Sequence, residues 1–317
     1  MERHKSKIAI IGAGFVGAST AYTIATLQLV QDLVLIDVNR EKAIGEAMDI
    51  SHGLCHMGQM NVRVGDYSDC ANADIIIMTA GLNRKPGETR LDLAKRNIPI
   101  AIDITKNVMK YYTQGVFLVV SNPVDVLTYI IQRQTDLPIG RVMGTGTALD
   151  SARFRTLLSE RLNVDIRNVH GYMAGEHGDA MLPLWSCTNV AGQLVDDAFK
   201  ARGLAPLSEQ EKVDLIAEVK SSGADVIKFK GATHFAIAAV TANICQTILK
   251  NQNTVKTVST IIDGKYGIND VALSLPSVVN RNGVEQILDV KMTNTELDDL
   301  AKCTAKMKDF LNKAQTN

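Results

Sequence analysis

Asp150 and Arg153 stand three residues apart in the run Asp150-Ser-Ala-Arg-Phe-Arg155, and His177 sits between glycines in Gly175-Glu-His-Gly-Asp179. Residues three apart on a helix share a face, so one carboxylate and one fork-shaped guanidinium are offered to the same space. A carboxylate paired with an imidazole raises the ring's pKa and fixes its tautomer, which makes His177 a candidate acid–base group. An arginine in a dry cleft can grip a substrate carboxylate in two places. The bland reading of the same residues is an i,i+3 ion pair and a loop histidine, and spacing alone leaves both open.

A second motif, Gly12-Ala-Gly14-Phe-Val-Gly17, follows an apolar run and opens a helical pattern. Such a turn brings backbone amides and a helix N-terminus toward a pyrophosphate. The glycine spacing by itself is weak evidence, but Asp37 ends the next strand pattern twenty residues after Gly17. A carboxylate there accepts hydrogen bonds from an adenosine ribose and repels a 2′-phosphate, which points to NAD rather than NADP. The third segment is Gly81-Leu-Asn-Arg84-Lys-Pro-Gly87-Glu-Thr-Arg90. Gly81, Pro86 and Gly87 punctuate a mobile loop, and its two arginines could swing onto an anion, although surface arginines are more often merely solvated.

The elements that must hold these residues follow from the apolar pattern. Segments 7–11, 32–37, 61–64, 74–79, 116–121 and 141–144 read as strands, several apolar at nearly every position, as strands covered on both faces are. Helical patterns at 15–29, 40–50, 90–112 and 124–135 alternate with them, which predicts a doubly wound parallel sheet. Beyond about 148 the order becomes mixed. Helices are expected at 148–162, from Ser208 with Glu211 as a capping box, and at 233–251, and strands near 168–174, 184–195, 255–263, 271–279 and 284–292. The last helix starts at Thr293 and Glu296 and carries Leu297, Leu300, Ala301, Thr304, Met307 and Leu311 on its apolar face. The expected division is a dinucleotide-binding Rossmann domain over 1–147 and an α+β catalytic domain over 148–317, packed on the first.

Composition excludes several classes. The 317 residues carry 34 Lys+Arg against 34 Asp+Glu, so no global field favours nucleic acid or an anionic membrane. No apolar run approaches a membrane span. The charged start MERHKSK leads into a glycine-interrupted stretch and reads as mature sequence. Five cysteines, odd in number and without C-x-x-C, suit reduced thiols and a cytoplasmic location. His52, Cys55 and His56 lie on one helical turn, but no further ligand accompanies them, so no metal is expected. His234 reads as a helix-start residue without chemistry.

Together the GEHGD box, Ser121-Asn-Pro-Val-Asp125, the DSARFR run and Pro86-Gly-Glu-Thr-Arg-Leu-Asp-Leu93 closely resemble the L-lactate and L-malate dehydrogenases over essentially the whole chain, nearest to the bacterial L-lactate enzymes. The resemblance implies NAD-dependent hydride transfer on a 2-keto or 2-hydroxy acid, with no metal. By motif match His177 is the proton donor–acceptor, Asp150 its orienting partner, Arg153 the carboxylate clamp and Arg90 the group that polarises the carbonyl. Asn122 stands beside nicotinamide and substrate, Thr233 lines the substrate pocket, and Ile237 contacts the nicotinamide, while Gly12, Gly14, Gly17 and Asp37 hold the dinucleotide. A homo-oligomer, with a tetramer favoured, is implied, and Arg155 and His170 match an inter-subunit fructose 1,6-bisphosphate site.

Arg84 occupies the lid position that is usually Gln in the lactate enzymes and Arg in the malate enzymes of this family. There it would pair with the second carboxylate of oxaloacetate. The PGETRLDL lid and Thr233 lean toward pyruvate and lactate, so malate stays the alternative. A noncatalytic dinucleotide sensor is the alternative of another class, disfavoured because a sensor needs none of His177, Asp150, Arg153 and Arg90 together.

Overall fold

A computed structural model describes residues 5–85 and 87–315. Six short apolar strands form its parallel part: β1 (Lys7–Ile11), β2 (Asp32–Ile36), β3 (Asn61–Val64), β4 (Ile75–Met78), β5 (Val116–Val119) and β6 (Val142–Gly144). Helices α1 (Phe15–Thr26), α2 (Arg40–Gly53), α3 (Arg90–Met109) and α4 (Val124–Arg133) lie between them in sequence. The strand order is 3-2-1-4-5-6, so the winding reverses between β1 and β4. At such a switch point the loops leaving the carboxyl ends diverge and open a crevice for a ligand. Both the glycine turn after β1 and the segment after β4 start there.

The near-continuous apolar character of these strands has a direct cause. Ile8, Ile10, Leu33, Leu35, Ile75 and Ile77 face a layer that includes residues of α1, α2 and the later helix Phe235–Leu249, while Ala9, Ile11, Val34, Ile36, Ile76 and Met78 face α3, α4 and the last helix, Asn294–Gln315. Each fully buried isoleucine or leucine contributes about 1.5–3 kcal/mol, which sets this sheet as the rigid frame for its loops.

The remaining chain forms α5 (Ala148–Leu162), the short strands β7 (Val169–His170), β8 (Met173–Ala174), β9 (Leu182–Pro183), β10 (Asn189–Val190) and β11 (Gln193–Leu194), then α6 (Val195–Ala201), α7 (Glu209–Lys230) and α8 (Phe235–Leu249). A meander of β12 (Thr254–Asp263), β13 (Asn269–Asn280) and β14 (Gly283–Ile287) precedes α9 (Asn294–Gln315). The carboxy-terminal part is more than packed on the first. Ser259 of β12 pairs antiparallel with Gly144 of β6, so the meander extends one nine-stranded sheet in the order 14-13-12-6-5-4-1-2-3.

Both expected capping boxes form. Ser208 and Glu211 exchange side-chain-to-backbone bonds at the start of α7, and Thr293 and Glu296 do so at α9. Three expectations are corrected. The strand predicted over 284–292 stops at Ile287: Leu288 still donates its N–H to the Pro276 carbonyl, but Pro276 has no N–H to return, and Val290 donates to the Tyr266 hydroxyl instead of to β13. The strand predicted over 184–195 breaks into a 3₁₀ turn at Trp185–Cys187 and a tight hairpin, with Ala191 and Gly192 both at positive φ. On α9 the buried face is rotated: Cys303 is buried, whereas Leu297 is 37% exposed and Ala301 is exposed. Among the described residues no helix is long and apolar enough to cross a membrane.

Gly17 is where α1 comes closest to the turn beneath it. A Cβ there would lie 1.8 Å from the Gly12 carbonyl oxygen. Backbone cannot step aside as a side-chain tip can, so Gly17→Ala should destabilise the fold by about 1–3 kcal/mol or more and weaken dinucleotide binding together with it. Thermal unfolding and NADH titration of the variant read both effects, and a native Tm would mean that α1 is free to shift.

Candidate active site

Three glycines shape the crevice in different ways. Gly12 has φ +108°, and a Cβ on it would strike the Ala80 backbone at 2.6 Å. Gly12 and Gly17 therefore pack the turn against β4 and α1. Gly14, at the N-cap of α1, faces open space, with nothing within 4 Å of its missing Cβ. The helix N-terminus is thus left clear for an anionic group. Asp37 stands just past β2, where its carboxylate accepts the Ala13 N–H at 2.6 Å and the Asn39 N–H at 2.8 Å. It braces the glycine turn and stays half-buried. An open helix N-terminus beside a half-buried carboxylate fits a dinucleotide.

The acid–base side grows from α5. Its start is held by Thr147, whose N–H donates to Ser274 Oγ at 3.1 Å and whose hydroxyl donates to the Met173 carbonyl at 2.6 Å. Asp150, 1% exposed, then turns both oxygens inward: Oδ2 lies 2.6 Å from His177 Nδ1 and Oδ1 accepts Arg153 Nη1 at 2.9 Å. Burial alone would raise its pKa, but the His177 and Arg153 charges outweigh burial and hold the carboxyl below the usual range. An ionised carboxylate only accepts, so Nδ1 carries a proton and Nε2 is the atom that gains and loses the mobile one. For His177 burial disfavours the cation, yet Asp150, by charge and hydrogen bond, and then Asp125 raise the pKa above the ordinary histidine value.

The loop bearing His177 is anchored through its backbone. Gly175 exchanges N–H and carbonyl bonds with Ser274 of β13, the Glu176 N–H donates to Cys303 Sγ at 3.3 Å, and the His177 N–H donates to Asp125 Oδ2 at 2.7 Å. Arg90, the first residue of α3, donates to the His177 carbonyl at 3.1 Å and lies 3.5 Å from Asp179. Gly178 makes room for it, since a Cβ there would sit 2.4 Å from Arg90 Nη1.

A cavity of about 340 Å³ is lined by Arg153 and Thr233, with Leu149, Val226 and Lys230 around them. Ile237 is half-buried against the apolar layer that covers α1. Asn122 keeps its side chain exposed while its carbonyl accepts from Asn97, and Asn97 also bonds both polar backbone groups of Leu82. Buried Asn97 thereby ties the root of the segment after β4 to the Asn122 turn. Arg84 is exposed and has no polar partner among the described residues; Glu88 is held instead by Arg96 and the Lys85 N–H. Pro86 lies outside the described residues.

Other candidates fall elsewhere. Arg155 is half-buried on α5 with Nε buried and unpaired, and His170 is exposed on β7. His234 caps α8, bonds Ser19 Oγ at 2.8 Å and stacks on Phe15. His52, Cys55 and His56 are exposed, and no cluster of three metal-ligating side chains occurs among the described residues. The larger groove of about 930 Å³, lined by Lys7, Asp32 and Asn61 at the amino ends of the strands, is remote from His177.

The profile for the lactate/malate dehydrogenase NAD binding domain matches residues 6–144, and that for the family's alpha/beta C-terminal domain matches 147–317. The chain belongs to the lactate/malate dehydrogenase family. It is 47% identical to an L-lactate dehydrogenase of Thermoanaerobacter sp. (strain X514), over 92% of this chain and 94% of that one. Among solved structures, a lactate dehydrogenase from a Medee basin deep-sea metagenome library superposes with a TM-score of 0.94 at 36% identity, covering 99% of this chain and 100% of that one. The L-lactate dehydrogenase of Clostridium thermocellum gives 0.86 at 53% identity, covering 98% and 100%. Residues 6–144, which carry the glycine turn and Asp37, are thus the family's NAD-binding domain. Asn97, Asp125, Ser274 and Cys303 hold the site without having been singled out by any motif, although Asp125 closes the SNPVD run.

His177→Asn should keep NADH affinity, because no part of the glycine turn changes, and lose about 10²- to 10⁴-fold in turnover. Keto-acid reduction needs the imidazolium, so its rate should fall as pH rises through the raised His177 pKa, while alcohol oxidation rises. Stopped-flow NADH binding and steady-state rates check this, and near-native turnover in the variant would remove His177 from proton transfer.

Proposed function

We propose that the chain interconverts pyruvate and L-lactate with NAD, using the site built on Asp150. The observation that carries this reading is the shared carboxylate: one buried Asp150 orients both the proton-carrying ring and the guanidinium that would clamp a substrate carboxylate. Bound over the glycine turn, the nicotinamide cofactor supplies the hydride. His177 Nε2 gives its proton to the keto oxygen, and Arg153 fixes the acid's carboxylate beside Thr233. Arg90, leaving Asp179, stabilises the negative charge that develops on that oxygen, an interaction that strengthens as the segment over it excludes water. Asn122 would orient the reacting groups and Ile237 would contact the nicotinamide.

The second reading is oxaloacetate and malate. It is favoured by Arg84, an exposed cation on the lid with no partner of its own among the described residues. Pyruvate is preferred because Thr233 lines the cavity together with Arg153 and the similar proteins named above are lactate dehydrogenases.

The same proposal divides the chain at 147/148, puts it in the cytoplasm, where its five free thiols stay reduced, and makes it a homotetramer. Exposed Phe15, Tyr22, Met48 and Phe235 support burial against other copies. Arg155 and His170 would take fructose 1,6-bisphosphate between subunits. In support, Arg155 Nε lacks a partner, and burial with the Arg155 charge lowers Lys256 to about 8, marking a locally cationic region.

Arg84→Gln tests substrate choice. If Arg84 reads the substrate, the variant loses a charge-assisted contact to oxaloacetate of about 1.5–3 kcal/mol while pyruvate efficiency holds or rises. An unchanged ratio of the two kcat/KM values would discard the malate reading. Fructose 1,6-bisphosphate should lower the pyruvate KM, and Arg155→Gln with His170→Ala should abolish that response. A native enzyme indifferent to the effector at subsaturating pyruvate would eliminate the site.

A further inference from the structure

Asp125 lies in the first turn of α4, 2% exposed. Burying a carboxylate costs several kcal/mol unless something requires it there. It does not cap its own helix: Pro123 occupies the N-cap with no side-chain bond, and the carboxylate reaches across to the other part of the chain. Oδ2 accepts the His177 N–H at 2.7 Å across 52 residues of sequence. Oδ1 and the Ser259 hydroxyl on β12 are both buried without a closed hydrogen bond, yet the hydroxyl lies near enough to favour the ionised form. A neutral acceptor would satisfy one backbone amide at far lower cost. What distinguishes a carboxylate at this point is its charge beside the His177 ring.

We propose that Asp125 is a positioning residue for proton transfer, holding the His177 backbone from behind while Asp150 holds the ring, and biasing the ring toward its protonated form. The proposal rests on the reading of His177 as proton donor–acceptor. The groups facing this centre are Asp150 from α5, Arg90 from α3, Glu176 on the same loop, and the Cys303 thiol from α9, which burial pushes up to about 12 and keeps uncharged. Arg90 opposes the imidazolium and Asp150 supports it, which leaves Asp125 as the second carboxylate on its side. Burial lifts Asp125 itself to about 6, so above that pH its charge is in place when the ring must hold its proton.

Asp125→Asn keeps an oxygen for the His177 N–H and removes the charge. The pH at which keto-acid reduction falls, and at which alcohol oxidation rises, should both move down, with NADH affinity within about twofold of native. Asp125→Ala removes charge and acceptor together and should lower kcat about 10²-fold through misplacement of the ring, again with NADH binding retained. Ser259→Ala provides a milder arm should Asp125→Asn not fold. Its hydroxyl has no closed bond to lose, and its removal makes Asp125 harder to ionise, so the limb should move in the same direction by less. Unmoved pH limbs in the folded variants overturn the positioning role, provided His177→Asn has lost turnover. If His177→Asn keeps turnover, the acid–base reading fails and the proposal fails with it.

Discussion

The site depends on one buried carboxylate. Asp150 is 1% exposed, so its two oxygens must be met by the protein, and they are met by an imidazole and a guanidinium. Because the partners compete for the same small group, their positions are coupled: the proton donor cannot move relative to the anion clamp without leaving an oxygen of Asp150 unpaired in a dry interior, a cost of several kcal/mol. Much of what surrounds it serves to keep this triangle rigid, from the Thr147 bonds at the start of α5 to the backbone anchors of the 175–179 loop.

Electrostatics around the triangle run against burial rather than with it. Desolvation disfavours every charge present, yet the mutual attraction of Asp150, Arg153 and His177 keeps Asp150 ionised and the ring basic. A site with the same residues spread on an exposed surface would be screened and would leave the histidine near its ordinary value.

Legibility in the sequence followed the range of each interaction. Asp150 and Arg153 were readable because helical periodicity fixes an i,i+3 pair on one face, and the glycine turn because its spacing encodes a backbone shape. The parallel strands were readable because burial on both faces leaves an uninterrupted apolar run. Anchors made across the chain left no local trace: Cys303 lies 127 residues from the Glu176 amide it accepts, and nothing in α9 marks it beyond an apolar position. Likewise the early end of β14 depends on a hydroxyl at Tyr266, 24 residues away from Val290. The role of Arg84 is hidden for another reason, since the sequence specifies its charge but not which way a long exposed side chain turns.

The Ser259–Gly144 pairing has a mechanical consequence. One sheet that passes from the amino-terminal strands into the carboxy-terminal meander resists bending along its length, so the two parts are not joined as loosely linked lobes are. Access to the reacting atoms has to be controlled by the short stretch between β4 and α3, whose root Asn97 clamps to the Asn122 turn.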